Sequence, residues 1–292
     1  MSERFFPFSS GVKSITPEMA GWRYSGLVVI SITAGKTDIS QYFSGDIEAA
    51  LIPLNLQNFK VNVSGNEHLL VGRSGVFVGA SDWVYIASNE KVEIITETAG
   101  EVAIATASVK SNFPSCYVEK ISKVEIRGAG MATREVRPFM HPDVFPNAEK
   151  LMAVEVITPD GNVSSFPPHR HDGIKGCDVE NEEIYYFRIG KISSAHGDSE
   201  GFGLHRTYSA PEDPEFFDET VTIHDGDIYL VPRGYHGPCA AMPGYPMYYL
   251  NVLAGPSRKR TMDFCDDPNH AWLRDSWKHQ IPDPRAPWQV KQ

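Results

Sequence analysis

Short hydrophobic runs recur along the chain, rich in Val, Ile, Tyr and Phe and broken by Gly, Pro, Asn or Asp about every ten residues. Helical periodicity is scarce by comparison. Evenly spaced runs with turn residues between them are typical of β-sandwiches and β-barrels. The pattern therefore predicts an all-β fold whose strands include residues 27–33, 69–71, 84–86, 92–96, 102–107, 151–157, 183–189, 227–231 and 248–253.

The chain also shows a faint internal repeat. An acidic turn followed by an apolar strand occurs late in each half, at residues 81–87 and 224–231, which predicts two halves of similar architecture. Of the ten histidines only His68 precedes residue 140, so the first half cannot build a multi-histidine site. We expect domains over residues 1–128 and 129–265. A polar, Pro-rich tail over residues 266–292 is expected to wrap the surface or a neighbouring subunit.

Composition narrows the classes of partner. The formal net charge is −10 without a Lys/Arg run, which disfavours a nucleic-acid partner. The first fifteen residues lack a signal-peptide layout, and the apolar run at 27–32 is too short to span a membrane. We therefore expect a cytoplasmic protein with no membrane partner. The four cysteines lack paired spacing, and we expect free thiols at Cys116, Cys177, Cys239 and Cys265.

The first candidate for chemistry is a pair of histidines in the sequence Ser-Ser-Phe-Pro-Pro-His-Arg-His-Asp at residues 164–172. On an extended strand His169 and His171 face the same side, and Arg170 faces the other. The two preceding prolines remove backbone donors, which favours a strand start or a barrel mouth. Two convergent imidazoles are half of a typical metal site, but His-x-His alone does not establish one.

Two further strands carry candidate ligands. Glu183, Tyr185 and Phe187 share one face of a strand, where a buried carboxylate is costly unless it is paired or binds a metal. The neighbouring Glu182 is the alternative, because both carboxylates cannot face inward. A strand at 227–231 ends in a Pro/Gly turn that presents His236. The next strand, at 248–253, carries Tyr249, Asn251 and Leu253 on one face.

These elements resemble the two motifs of the cupin superfamily. Six residues separate Glu183 from Gly190, which selects Glu183 over Glu182. Five residues separate Gly226 from Pro232, and Gly234 and His236 follow. The lengthened segment at 173–182 and the single residue between Gly234 and His236 depart from the general motif, but one branch shares them.

That branch is the 5-deoxy-glucuronate isomerase family of myo-inositol catabolism, related to 5-keto-4-deoxyuronate isomerase. The chain resembles it over about residues 134–272, which include Thr-Arg-Glu-Val at 133–136, the His-Arg-His segment, Glu-Glu-Ile-Tyr-Tyr at 182–186, Val-Pro-Arg-Gly-Tyr-His at 231–236 and Asp-Pro-Asn-His-Ala-Trp at 267–272.

The resemblance implies a tandem double-stranded β-helix, or bicupin, with a degenerate N-terminal half and a metal-binding C-terminal half. It implies an intramolecular oxidoreductase that converts 5-deoxy-glucuronate to 5-keto-2-deoxygluconate. It also implies one divalent metal ion (Zn, Mn, Fe, Ni or Co) per chain, bound by His169, His171, Glu183 and His236. We expect a small anionic sugar-acid substrate and a homo-oligomer.

The remaining roles stay open at this point. Candidates for the catalytic base are Tyr185, Tyr249, Glu219 and His205. A bidentate guanidinium should bind the substrate carboxylate, and Arg206 is preferred over Arg134 and Arg233. Asn251 is a further substrate-binding candidate. We interpret the other histidines of the second half as surface or structural residues: His141, His196, His224, His270 and His279.

Two other functional classes are compatible with this ligand set. Three histidines and one glutamate also suit Fe(II), which allows a cupin dioxygenase that would consume O₂, unlike the isomerase. A non-catalytic sugar-binding cupin is the other alternative, and it should have a degenerate metal site.

Overall fold

The computed structural model describes residues 4–111, 113–192, 200–231 and 233–288. Within these ranges strands dominate, and the prediction of an all-β fold is confirmed. The helical elements are α1 (Leu273–Ser276) and short 3-10 turns at Phe8–Ser10, Ser40–Phe43 and Trp277–His279. None of the helices in the described residues is long and apolar enough to cross a membrane.

Strand bounds follow the chain in two runs. The strands before residue 130 are β1 (Phe5–Phe6), β2 (Ser14–Ile15), β3 (Ser25–Ile32), β4 (Gly35–Asp38), β5 (Ile47–Pro53), β6 (Gln57–Val63), β7 (Asn66–Gly72), β8 (Trp83–Ile86), β9 (Val92–Thr96), β10 (Gly100–Ser108), β11 (Cys116–Val118) and β12 (Glu125–Arg127). Those after it are β13 (Arg134–Arg137), β14 (Met152–Thr158), β15 (Val163–Ser164), β16 (His169–Arg170), β17 (Glu182–Ile189), β18 (Gly203–Tyr208), β19 (Asp218–Ile223), β20 (Ile228–Val231), β21 (Tyr235–Ala241), β22 (Met247–Ala254) and β23 (Cys265–Asp266). Each of the nine segments predicted from the hydrophobic runs overlaps one of these strands.

Both halves of the chain arrange their strands in the same order. The first half forms the sheets β11-β8-β5-β10-β3-β2 and β4-β9-β6-β7. The second forms β1-β20-β17-β22-β14-β13-β12 and β19-β18-β21-β16-β23, with β15 also paired to β21. Strands β8, β5, β10 and β3 thus correspond to β20, β17, β22 and β14, and β4, β9, β6 and β7 correspond to β16, β21, β18 and β19. This repeated order agrees with a tandem cupin-like architecture. The short strands β1 and β12 pair in the sheet of the second half, and the boundary at residues 128–129 stays a prediction.

The hydrophobic core has three parts that follow from the alternation of side chains along each strand. On β5, Ala50 and Ile52 face a core between the two large sheets, whereas Ala49 and Leu51 face the interior of the first barrel. That interior is filled by aliphatic and aromatic side chains, among them Phe43, Phe59, Val61, Ile94 and Ile104. The second barrel has its own inner cluster around Tyr185, Phe187 and Tyr249. Among the described residues, the interior of the first barrel is thus an apolar cluster, whereas the second barrel also encloses His171, Glu183 and His236.

The cysteine prediction was wrong for two of the four residues. Cys177 and Cys265 form a disulfide with their Cα atoms 5.7 Å apart, whereas Cys116 and Cys239 are free. Strand β23 pairs with β16 so that Cys265 lies opposite Arg170, and Arg170 Nη2 donates 2.8 Å to the carbonyl of Lys175, two residues before Cys177. Tertiary pairing thus brings together two cysteines that are 88 residues apart in the sequence.

The C-terminal tail packs against its own chain. The backbone N–H of Asp283 donates to Thr133 Oγ1 at 2.9 Å, and Arg285 Nη1 donates to an Asp160 carboxylate oxygen at 2.8 Å. Strand β23 adds a further tie to the second barrel through β16. The tail therefore packs on the second barrel of its own chain.

Candidate active site

Three of the four proposed ligands meet at one point inside the second barrel. The Nε2 atoms of His171 and His236 lie 2.9 and 3.0 Å from the same carboxylate oxygen of Glu183, Oε2. One ligand atom from each of the three residues fits within a group whose members all lie within 4.8 Å of one another. All three side chains are buried. Strand β17 supplies the carboxylate from one sheet, and β21 supplies His236 from the facing sheet.

His169 lies beside this group but is not a member of it. It faces His236 across the β16–β21 pairing, and the two ring centroids are 4.4 Å apart. Its Nδ1 is hydrogen bonded to the carbonyl of Pro167 at 3.0 Å, which leaves Nε2 for another partner. His171 is held in the same way, with Nδ1 2.9 Å from the carbonyl of Asn181. His169 and His171 both line the cavity described below, so their expected common orientation is confirmed.

His236 provides the test of whether the residues suit a metal. Both of its ring nitrogens are buried and lack a hydrogen-bond partner in the part of the chain described, although Nε2 is close to Glu183. Buried polar atoms are nearly always satisfied, so a nitrogen without a partner indicates a missing ligand. Imidazole nitrogens and a carboxylate are the donor types that first-row divalent metals take. The donor set therefore fits a divalent cation.

Electrostatics in the group favours an ionised carboxylate. Burial disfavours the charged form of Glu183, but His236 and His171 together hold its pKa well below the usual range. Burial and the neighbouring His236 depress the pKa of His169 well below its ordinary value, which keeps that ring neutral. For His171, burial is outweighed by Glu183, which raises the pKa of the imidazole. A carboxylate among imidazoles is an arrangement suited to a cation.

The choice between adjacent glutamates is resolved by the two faces of β17. Glu182 points away from the group and accepts the backbone N–H groups of Arg23, Tyr24 and Ser25 at 2.7–2.8 Å. It therefore ties the two halves of the chain together, while Glu183 faces the barrel interior.

A cavity of about 290 Å³ opens next to the three-residue group. His169, His171 and Glu183 are part of its lining. The rest of its lining includes Tyr185, Tyr249, Asn251, Ser165, Arg127, Arg134, Met262, Phe264, Arg274 and Trp277. The cavity therefore combines candidate metal ligands with cationic and aromatic side chains.

Of the three arginines that line the cavity, Arg127 pairs with Glu125 and Arg274 pairs with Asp266, whereas Arg134 has no carboxylate partner among the described residues. It is 8% exposed, and its Nη1 donates to the carbonyl of Ala132 at 3.1 Å. No carboxylate of the described residues lies within ion-pair distance of it. Burial lowers its pKa to about 10, and the nearby guanidinium groups of Arg127 and Arg274 act in the same direction. An anion bound in the cavity would stabilise the buried positive charge of Arg134.

The two tyrosines predicted as candidate bases do line the cavity. Tyr185 Oη is 3.0 Å from Ser165 Oγ, and Tyr249 donates to Ser164 Oγ at 3.1 Å. Burial, followed by the charge of Glu183, raises the pKa of Tyr185 well above its usual value. Burial, followed by Cys239, raises the pKa of Tyr249 as well. Both phenols are therefore neutral, and Tyr249 donates its proton to Ser164.

Four other candidates lie outside this cavity, which corrects the preference for Arg206. Arg206 is on the exposed face of β18, where Asp218 binds its guanidinium at 2.6 and 2.8 Å. Arg233 pairs with Glu215 at 3.2 Å, and Glu219 accepts the hydroxyl of Tyr229 at 2.6 Å. His205 is buried among Tyr185, Tyr229 and Cys239, and burial with His236 lowers its pKa to about 3. Alternation along β18 put Arg206 outside the barrel.

The other histidines are also away from the cavity lining. This holds for His141, His224, His270 and His279, whereas His196 and the motif proline Pro232 lie outside the described residues. What the sequence did not predict is the contribution of the C-terminal segment that follows β22: Met262, Phe264, Arg274 and Trp277. Their one signal was the family-like segment at 267–272, which lies between them without including any of them.

Comparison with known proteins identifies the family of this chain. The model of the KduI/IolB family matches residues 6–273. The chain belongs to this family. A curated relative from Geobacillus kaustophilus, named 5-deoxy-glucuronate isomerase, is 38% identical over 91% of each chain. The crystal structure of an IolB-like protein from Salmonella typhimurium is 30% identical, with a TM-score of 0.77 over 90% of this chain and 94% of that one.

A more distant structure shows the fold alone. Oxalate decarboxylase from Lactobacillus farciminis, solved as its formate complex, superposes with a TM-score of 0.58 at 11% identity, over 89% of this chain and 88% of its own. The family membership and the cupin-like all-β class expected from the sequence are both confirmed. The protein is accordingly an isomerase, an enzyme of the intramolecular oxidoreductase class.

Proposed function

We propose that the protein converts 5-deoxy-glucuronate to 5-keto-2-deoxygluconate with one divalent metal ion, which is Zn, Mn, Fe, Ni or Co. The observation that supports this most is a buried His–Glu–His group beside a cavity that is also lined by Arg134, which has no carboxylate partner among the described residues. A sugar acid has a reactive aldehyde at one end and a carboxylate at the other. The cavity lining offers a candidate metal centre for the first and a guanidinium for the second. The curated relatives of the family carry the name of this activity.

We propose His171, Glu183 and His236 as ligands, with His169 as the fourth through its Nε2. A divalent cation held there would polarise the substrate carbonyl and stabilise negative charge that develops on the substrate oxygens. The carbonyls of Pro167 and Asn181 fix the tautomers of His169 and His171 by accepting from Nδ1.

The remaining cavity residues position the sugar chain. Arg134 is proposed to bind the terminal carboxylate, which supplies the anion that its surroundings lack. Asn251 Oδ1 is buried without a partner among the described residues, so it can accept a hydrogen bond from a substrate hydroxyl. Tyr185 and Tyr249 keep their protons at neutral pH and can donate them as hydrogen bonds to substrate oxygens. The isomerisation moves one hydrogen from C2 to C1 and one from O2 to O1, so no other reactant is consumed.

The experiment is to supply 5-deoxy-glucuronate in D₂O to protein loaded with each metal in turn and to follow the product by NMR. We expect conversion without O₂ uptake, and loss of conversion after chelation that the metal restores. Deuterium at the new hydroxymethyl carbon would indicate proton exchange with solvent during the transfer. O₂ consumption would instead support the dioxygenase alternative, and absence of conversion with every metal would refute the assignment.

A matched pair of variants tests the ligands. His171→Ala should lose both bound metal, measured by elemental analysis, and turnover. His224→Ala is the control, because His224 is exposed and outside the cavity lining. Retention of stoichiometric metal by the His171 variant would contradict the ligand assignment.

The physiological setting is also a proposal. We propose a step of myo-inositol breakdown in the cytoplasm, carried out by a homo-oligomer. Support comes from the names of the relatives and from the apolar side chains Leu69 and Val71, which are 66% and 64% exposed on the edge strand β7. Complementation of a strain that lacks 5-deoxy-glucuronate isomerase, scored as growth on myo-inositol, tests the pathway. Light scattering of the purified protein tests the assembly.

A further inference from the structure

One wall of the cavity is a continuous stack of aromatic and guanidinium groups from the C-terminal segment. It starts at the candidate metal centre, where the ring of Phe264 lies 4.6 Å from that of His169. The guanidinium carbon of Arg274 lies 4.9 Å from the ring centre of Phe264 and 5.5 Å from that of Trp277. Trp277 also lies 5.5 Å from the guanidinium carbon of Arg134. One indole therefore stacks with two arginines.

The two arginines differ in what else binds them. Arg274 is held by both carboxylate oxygens of Asp266, at 2.5 and 2.7 Å, and Asp266 belongs to β23, which pairs with β16. Arg134 has Trp277 and the carbonyl of Ala132 as partners but no carboxylate within the described residues. A guanidinium that lies over an indole face uses its π face for that contact and can keep N–H groups available for a carboxylate. The stack therefore orients the cation without neutralising it.

We infer that Trp277 is a specificity-determining positioning residue, which holds Arg134 in the orientation that selects a substrate with a terminal carboxylate over its uncharged counterpart, while Arg274, fixed by Asp266, packs on the same indole. This rests on the proposed function of the same cavity and adds the residue that determines which sugars enter it. Trp277 does not touch the reacting carbons in this scheme. Its effect is on the affinity for the charged end of the substrate.

The test compares two substrates that differ only at that end: 5-deoxy-glucuronate and 5-deoxy-glucose. In Trp277→Leu we expect KM for the uronate to rise about tenfold or more, the range of a desolvated cation–π contact. The kcat for either sugar and the KM for the neutral sugar should stay within about twofold. Trp277→Phe keeps an aromatic face and should retain most of the preference. Trp272→Leu is the control, since Trp272 is 62% exposed and not part of the cavity lining.

The selectivity ratio separates positioning from a general structural role. If Trp277→Leu weakens both substrates equally, or leaves the ratio of their kcat/KM values unchanged, the inference is overturned. Should that variant not fold, Arg274→Lys serves instead, because lysine keeps the charge but not the flat stacking. An unchanged ratio in Arg274→Lys would overturn the inference too.

A binding measurement separates this inference from the proposed activity. Calorimetric titration with D-glucuronate needs no turnover, and we expect weaker binding to Trp277→Leu than to Trp272→Leu. If neither sugar is isomerised but this difference is found, the proposed function fails and the inference stands. If isomerisation occurs while Trp277→Leu changes neither binding nor the ratio, the proposed function stands and the inference fails.

Discussion

Replacing Arg134 by Met should make the protein more stable and a poorer enzyme. Burial lowers the pKa of Arg134 from its ordinary value to about 10. The charged form is therefore favoured in the unfolded chain by about 3 kcal/mol, at about 1.4 kcal/mol per pKa unit. Because the pKa is depressed in the folded state, this cost applies at every pH below about 10 and diminishes only as the pH rises above that value. Methionine removes the charge and keeps most of the volume.

The stability gained by Arg134→Met is smaller than the full electrostatic cost of burying the arginine. Arg134 also loses its hydrogen bond to the carbonyl of Ala132 and its contact with Trp277, each worth about 1 kcal/mol. We therefore expect a net increase of about 1 kcal/mol in the free energy of unfolding, which is a rise of a few degrees in Tm for a chain of this size. Loss of a buried charge partner for the substrate carboxylate should cost about 2 kcal/mol or more, raising KM about 30-fold.

The assay pairs thermal unfolding of the metal-loaded protein with steady-state kinetics on 5-deoxy-glucuronate. Arg206→Met is the matched control, because Arg206 is an exposed arginine paired with Asp218 on the outside of β18. Its substitution should change Tm and KM little, since surface ion pairs contribute up to about 1 kcal/mol. If Arg134→Met lowered Tm and left KM unchanged while Arg206→Met raised KM, the assignment of the carboxylate-binding arginine would be refuted.

Substitutions at three further sites test other parts of the structure. Gly128→Ala should raise KM and destabilise the fold by about 1–3 kcal/mol in urea unfolding. The backbone φ of Gly128 is +75°, which residues other than glycine rarely adopt, and a Cβ there would lie 2.1 Å from the Ala132 carbonyl oxygen and 2.7 Å from Arg134 Nη1. Replacing Cys177 and Cys265 together by Ser should lower the free energy of unfolding by about 2–4 kcal/mol, an effect absent when both proteins are measured with reductant. Glu183→Gln should lose bound metal in elemental analysis, whereas Glu182→Gln should keep it and lower Tm; equal metal loss in both would contradict the assignment of β17 faces.

Local patterns predicted the strands and the candidate metal ligands. Side chains of consecutive residues alternate between the two sides of an extended segment, so the pattern put His169 and His171 on one side and Arg170 on the other. The same alternation set Glu183 apart from Glu182 once the family spacing was known. The same alternation could have excluded Arg206, had the inner face of β18 been assigned first. His205 and Thr207 are buried on that strand, and Arg206 lies between them.

The pairing of distant segments was beyond the reach of such patterns. Cys177 and Cys265 have no spacing that predicts a bond, and they meet because β23 adds to β16 at the edge of a sheet. Arg274 and Trp277 follow β23 in the chain, so they reach the cavity by the same pairing.

By itself the sequence determined the all-β class, the family and the residue types suited to metal binding. The spacing of hydrophobic residues and the spacing within motifs are both local, so they can be read from the sequence alone. Only the tertiary structure decided which arginine lacks a counter-ion. Whether Arg134 or Arg206 finds a carboxylate depends on side chains brought together from far along the chain, and burial sets the energetic consequence. The position of Arg274 and Trp277 in the cavity wall likewise depends on strand pairing in the tertiary structure.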